Sequence, residues 1–240
     1  EYQEKALLQR LEHGDICLSF DDALLCQYDL AVPILRKHGI KAFFFIYSSP
    51  MMGEADKLEI YSYFRAARYR SVDEFYNDFF QECKKLLGER FIQSRRGFLE
   101  LDYLSEFPFY SDNDKWFRFV RDRVLQRDTY GLIMDTLMKG KGFILETILE
   151  RLWINNRQLC DLAEQGHVLG LHSYTHPTVM ASLPRKQQRE EYEKNLGHLA
   201  SILGSHDKVK AMSHPCGSYN EDTLDILRDL GIEIGFRSNM

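Results

Sequence analysis

The chain is 240 residues long, 44% hydrophobic and 28% charged, with a formal net charge of −5. That length holds one large α/β domain, or one domain carrying a big insertion, with a proper buried core. The acidic balance argues against a nucleic-acid binder, no run of about 18 apolar residues could span a membrane, and five cysteines without regular spacing read as thiols of a reducing compartment rather than a disulfide framework. Residues 1–15 lack the basic start and apolar centre of a signal peptide, so cytoplasm is the expected location, although the sequence could begin after a removed segment.

Residues 2–12 set Ala6, Leu7, Leu8 and Leu11 among charges, a weak helical pattern that fits a loose leader equally well. Ile16 to Phe20 reads as a short buried strand closing at Asp21. Leu24 to His38 reads as a helix, with Leu30, Ile34 and Leu35 on its apolar face and Gly39 as its stop. Lys41 to Ile46 is a strand apolar on both faces, as parallel strands covered by helices are. Strand, helix and strand in succession make a βαβ unit.

From 51 to 150 the rhythm changes. Val72 to Leu87, Asp114 to Gln126 and Tyr130 to Met138 are helical by period, rich in Phe, Tyr and Arg, and separated by Gly, Pro and Asp-Asn clusters. The region is too long for a βα loop and reads as a helical insertion between the two parts of a barrel, 1–50 and 151–240. Its rings could line a substrate cleft or a subunit contact, the latter making a homo-oligomer; filling a small core of their own is the plainer expectation. Helix and strand then alternate again: Asn155 to Gln165 ended by Gly166, a strand His167 to Leu171, a charged amphipathic helix Pro184 to Leu203, a strand Lys208 to Ser213, a helix capped by Asn220, and a strand Ile232 to Phe236. In the long helix Tyr192, Leu196, Leu199 and Leu203 face the core and the charges form a solvated face. His13, His38, His198 and His206 read as surface residues and His167 as structural.

His172 and His176, four apart just after a strand, can turn both imidazoles toward one point. This is a metal-ligand spacing, though a pair of surface histidines on a helix would look the same. A catalytic zinc takes three protein ligands and keeps one position open, so a third must come from elsewhere, and Asp21-Asp22 at the end of the first strand is the best supplier. Asp21-Asp22, His172 with His176, and the His214 to Gly217 loop all follow strands, the end at which α/β barrels gather their chemistry.

Ser19-Phe20-Asp21-Asp22-Ala23, His172-Ser173-Tyr174-Thr175-His176-Pro177 and Pro215-Cys216-Gly217-Ser218-Tyr219-Asn220 resemble the first three motifs of the polysaccharide deacetylase, or NodB-homology, family of carbohydrate esterases. The resemblance extends over residues 15–49 and 150–238 and leaves out the insertion. It implies an α/β fold, a distorted (β/α) barrel, whose C-terminal part would be incomplete in this sequence. It also implies one divalent metal ion, zinc first with cobalt, nickel or manganese as alternatives, held by Asp22, His172 and His176. Asp21 would act as general base toward a water whose pKa the metal lowers, and the water would attack the carbonyl carbon of an N-acetyl group. Two adjacent aspartates at a strand end cannot point the same way, so a division into ligand and base is the natural one.

The resemblance further assigns the Pro215-Cys216-Gly217 turn, with Tyr219 beside it, to binding of the oxyanion and substrate through the main chain, so a Cys where the family has Tyr need not abolish it. Cys216 as a nucleophile is the weaker reading, because a thiolate needs an adjacent base. Ser173 would brace the His loop by hydrogen bonding. Two departures stand out: Ser213 and His214 occupy the neighbourhood where the family often has an Arg against the catalytic Asp, and the family's last Leu-x-His-like motif, which supplies the acid, is missing. Either that part lies outside this sequence or another side chain protonates the leaving amine, and His214 is the candidate for that role or for orienting Asp21. The function implied is deacetylation of an N-acetylated sugar or sugar conjugate, in surface-polysaccharide metabolism. The alternatives are hydrolysis of another small amide and a catalytically incomplete carbohydrate-binding relative.

Overall fold

The computed structural model describes residues 2–54 and 57–237. In chain order its elements are α1 (Tyr2–Leu7), β1 (Ser19–Phe20), α2 (Val32–Lys37), β2 (Phe43–Ile46), α3 (Lys57–Arg68), α4 (Val72–Leu87), α5 (Glu89–Leu99), α6 (Asp112–Phe119), α7 (Arg127–Gly140), α8 (Glu146–Leu152), α9 (Asn156–Glu164), β3 (Val168–Leu171), α10 (Arg185–Leu203), β4 (Ala211–Ser213), α11 (Glu221–Asp229) and β5 (Ile234–Phe236). They divide into two compact units, Glu1–Asp56 with Leu149–Met240, and Lys57–Ile148.

In the first unit all strand pairs are parallel and the strands lie in sequence order, β1-β2-β3-β4-β5. Parallel neighbours need crossovers, and crossovers of one hand between consecutive strands keep the helices on one face and curl the sheet. The result is the expected distorted (β/α) barrel, a curled half-barrel of five strands among the described residues. Alternation along β2 sorts its aromatic run: Phe44 and Ile46 face the helices, packed with Leu35, Leu162, Leu196 and Ile226, whereas Phe43 and Phe45 face inward with Ala211, Val168 and Phe236. Each such fully buried side chain contributes about 1.5–3 kcal/mol. Gly170, opposite Phe45 in β3, is a packing glycine, since a Cβ there would lie 2.6 Å from the Phe45 ring and 2.7 Å from the Ala211 carbonyl.

Strands β2, β3 and β5 start one or two residues later than expected, at Phe43, Val168 and Ile234, and three larger differences have structural causes. The first strand is only Ser19–Phe20; Ile16 is 84% exposed, because β1 is an edge with no described strand beyond it. The helix after it opens with a π-turn over Gln27–Ala31, and the extra residue in that turn rotates the face that follows. Val32 and Leu35 are therefore buried, while Leu30 and Ile34 are 68% and 60% exposed. The strand expected from Lys208 begins only at Ala211, after a 3₁₀ turn over His206–Lys208.

The second unit is helical throughout. Phe64, Phe75, Phe79 and Phe117 are buried in it; Phe117 meets Phe75 and Phe79 edge to face, and the Arg65 guanidinium lies 5.5 Å from the Phe75 and Phe117 ring centres. These rings fill the unit's own core. The helix expected over Asp114–Gln126 starts two residues earlier, under a capping box between Ser111 and Asp114, then widens into a π-turn at Val120–Val124. Helices α3 and α5 were not anticipated. No helix among the described residues is long and apolar enough to cross a membrane.

Candidate functional site

Three strand ends converge on one cluster. Beyond β1, Asp21 and Asp22 part company as their adjacency requires, Asp22 turning at φ +74° and Ala23 following at +53°. Beyond β3, the loop from His172 to His176 makes a tight turn, with Ser173 at φ +66° and His176 at +57°. The two imidazoles thereby reach the same carboxylate oxygen: Asp22 Oδ1 lies 3.4 Å from His172 Nε2 and 3.3 Å from His176 Nε2. Ligand atoms of the three residues all lie within 4.8 Å of one another.

The donor chemistry of this cluster fits a metal ion. Asp22 Oδ1 is shut away from solvent and accepts no hydrogen bond, although two ring nitrogens face it, a costly state for a buried oxygen. The His172 Nδ1–H donates to the Ser213 carbonyl at 2.8 Å, so that in the neutral ring it is the Nε2 lone pair that faces the cluster. Two imidazoles and a carboxylate are a zinc-type donor set with a position to spare. Burial by itself would push the Asp22 carboxyl up, but the close approach of the His172 ring, with His176 behind it, holds it below the ordinary carboxylate range. Burial by itself would push His172 down, and the Asp22 and Asp21 carboxylates carry it up instead.

Asp21 sits at the solvent side of this cluster. Its side chain is 42% exposed, its Oδ2 lies 3.9 Å from His172 Nε2, and the Ser213 hydroxyl donates to that oxygen at 3.0 Å. The group that orients Asp21 is therefore Ser213, at the end of β4, rather than His214. His214 is buried and stacks on the Tyr219 ring, centroids 4.3 Å apart, with Arg237 donating to the Tyr219 hydroxyl at 3.2 Å. Burial, with the charge of His172 added, lowers the His214 imidazole to about 4, so the ring is neutral at pH 7. Pro215 is buried, Cys216 is exposed at φ +51°, and the Gly217 and Ser218 amides close the turn onto the His214 and Pro215 carbonyls at 2.9 Å each. Ser173 is fully buried and its Oγ accepts from the His176 amide at 3.1 Å, inside the His loop.

Five of the seven non-glycine residues with positive φ among the described residues belong to these loops: Asp22, Ala23, Ser173, His176 and Cys216. A left-handed side-chain-bearing residue costs about 1–3 kcal/mol and persists only where its surroundings impose it. Much of that imposition comes from α10. The Glu191 carboxylate accepts from the Tyr174 and Thr175 amides at 2.9 and 2.7 Å and from the Thr175 hydroxyl at 2.7 Å. Asn195 Oδ1 accepts from the His172 amide at 3.0 Å. His198, expected at the surface, is buried between Ser48 and Asn156 at 2.7 and 2.9 Å, because the helix turns that face toward the loops rather than toward solvent. The signal in the sequence was the spacing of Glu191, Asn195 and His198 on one helical stripe.

Residues 127–235 match the family model for polysaccharide deacetylase. Among solved structures, the deacetylase PplD of Streptococcus pyogenes, in complex with acetate, superposes with a TM-score of 0.52 at 16% identity, over 98% of this chain and 62% of that one. The BpsB deacetylase domain of Bordetella bronchiseptica gives 0.52 at 14% identity, over 98% and 69%. A de-N-acetylase of Aggregatibacter actinomycetemcomitans gives 0.51 at 13% identity, over 98% and 68%. The chain thus spans less than two thirds of the first of these proteins, and the likeness establishes the fold. No curated protein matches the chain significantly in sequence.

Proposed function

Residues 127–235 match the polysaccharide deacetylase family model, and on that premise we propose that the chain removes the N-acetyl group from a sugar or sugar conjugate, with one divalent metal ion held by Asp22, His172 and His176. The observation that carries this reading is the Asp22 Oδ1 atom, buried without a hydrogen bond between two ring nitrogens at 3.4 and 3.3 Å. A divalent cation shared with the two ring nitrogens satisfies such an atom. Zinc is the first candidate, with cobalt, nickel or manganese behind it. When bound, the ion supplies a Lewis acid for the amide carbonyl and a water of lowered pKa.

The remaining steps fall to side chains and backbone. Asp21, solvent-facing and held by the Ser213 hydroxyl, takes the proton from the attacking water. The backbone of the Pro215-Cys216-Gly217 turn receives the oxyanion, with Tyr219 at its side. The leaving amine needs a proton; His214, neutral at pH 7, can deliver one only after first receiving it. A small conjugate made in the cytoplasm for surface-polysaccharide assembly is the proposed substrate class.

The test is acetate release from N-acetylated sugars by the zinc- or cobalt-loaded protein, with Asp21→Asn as control. Release by the wild type and its loss in Asp21→Asn, with metal retained, is the expected result. Metal-loaded wild type that releases no acetate across monosaccharide, nucleotide-sugar and oligosaccharide substrates would overturn the reading.

A further inference from the structure

We propose that α10 is the positioning element of the metal site, with Glu191 and Asn195 setting its affinity for a divalent cation by holding the main chain of the His172–His176 turn. This inference rests on the metal reading above and concerns residues outside the ligand set. Between the two histidines the chain must pass through left-handed positions at Ser173 and His176, which amino acids with a Cβ adopt reluctantly. Within the loop the Ser173 Oγ, accepting from the His176 amide, supports that path, and the rest of the hold comes from outside. Glu191 supplies it with one carboxylate: Oε2 gathers the two successive amides of Tyr174 and Thr175, a small nest of N–H groups, while Oε1 takes the Thr175 hydroxyl. Asn195, one turn along the helix, accepts from the His172 amide and donates to the Ile46 carbonyl at 2.9 Å and the Ser48 hydroxyl at 2.6 Å. It thereby fastens the start of the His loop to the end of β2.

The same stripe continues in both directions. His198 takes Ser48 and Asn156, and Gln188, fully buried, donates to the Leu183 carbonyl and takes the Thr223 hydroxyl behind the third motif's helix cap. Positions 188, 191, 195 and 198 recur at helical spacing on one face, which in a helix covering a parallel sheet would ordinarily be apolar. A row of buried or half-buried polar side chains gains nothing over a hydrophobic one in stability alone. Here the partners include the loops that carry the site residues, which is the arrangement expected of an element that orients ligands. Outer partners of this kind change metal affinity by about 10- to 100-fold when removed.

Cobalt titration followed by visible absorption, and zinc competition against a chelator, test this on the full chain. Glu191→Ala and Asn195→Ala should each lower affinity by about 10- to 100-fold and alter the cobalt band, which reports ligand geometry. Glu191→Gln keeps an acceptor for the two amides and should recover most of the loss. Glu193→Ala, on the exposed side of the helix where Glu193 pairs with Arg189 at 3.5 Å, should leave affinity and spectrum as in wild type. If Glu191→Ala does not fold, Thr175→Val removes one of the same hydrogen bonds and should show a smaller loss. Folded Glu191 and Asn195 variants with wild-type affinity and spectrum would overturn the proposal while leaving the metal site standing. A wild type that binds no cobalt or zinc would overturn both.

Discussion

The two ends of the five-stranded sheet are built on opposite terms. At the ends where the strands finish, residues with side chains take left-handed conformations, Asp22 keeps a buried oxygen without a hydrogen bond, and His214 keeps a buried nitrogen in the same condition. At the ends where the strands begin, left-handed conformations fall to glycines such as Gly166 and Gly231, at φ +83° and +77°. Lysines there meet carbonyls at helix C-termini: Lys41 that of Gln165 after α9, and Lys208 that of Leu203 in α10. A groove of about 680 Å³ also opens at this relaxed end, lined by α1 together with Lys41, Phe43 and Lys210. None of the residues that line it is among the left-handed side-chain-bearing positions of the other end. Strain and unsatisfied polar atoms are what distinguish a site from a concavity.

The comparison can be broken most severely at Asp21. Asp21→Asn should keep the metal and the melting temperature but lower acetate release by about 10²–10⁴-fold, the usual contribution of a general base. Retained activity in a metal-loaded Asp21→Asn would remove the proposed base.

His214 offers a test by pH. Its folded imidazole titrates near 4 against an ordinary 6.5, so between those values the unfolded chain holds a proton that the folded chain does not. Stability is then complete above about pH 6.5 and falls as pH drops toward 4, by at most about 3 kcal/mol. Denaturant unfolding at a series of pH values should show this slope, and His214→Gln should flatten it. A slope equal in the two proteins would mean that the ring is not buried in neutral form.

A smaller effect is expected at Ser213, which gives its hydroxyl to Asp21 and its carbonyl to His172. Ser213→Ala removes only the hydroxyl, so turnover should fall by about tenfold, the size of a hydrogen bond to a charged group, while metal binding is unchanged. Loss of the metal in this variant would show that the two contacts are not separable.

The smallest effect belongs to the relaxed end. Lys208→Met should cost about 0.3–1 kcal/mol in unfolding free energy, through one helix C-terminus, and change neither metal content nor turnover. A loss of activity there would mean that the two ends are coupled.

Most of the sheet could be read from the chain because its signals are local. Gly39 and Gly166 stop helices, Asn220 caps one, and the run at Lys41 to Ile46 is apolar on both faces as a covered parallel strand must be. The cluster of Asp22, His172 and His176 was legible from spacing and from resemblance, since each motif follows a strand. What escaped was tertiary. The π-turn at Gln27–Ala31 shifted a helix face by one residue, which no periodicity count detects. Glu191 and His198 looked like charges on a solvated helix, because nothing in the sequence of α10 tells which loops its polar stripe will meet. Ser213 was read as standing near Asp21, but only the fold shows that it is the residue that touches it.

The central claim is that the strained end of the sheet holds a metal ion, and elemental analysis of the purified protein tests it most directly. After addition of zinc and dialysis, wild type should retain about one ion per chain, as a three-ligand site does. His172→Ala and Asp22→Ala should lose it, and Lys208→Met should keep it. No retained metal in the wild type, or retention that His172→Ala and Asp22→Ala leave unchanged, would contradict the account.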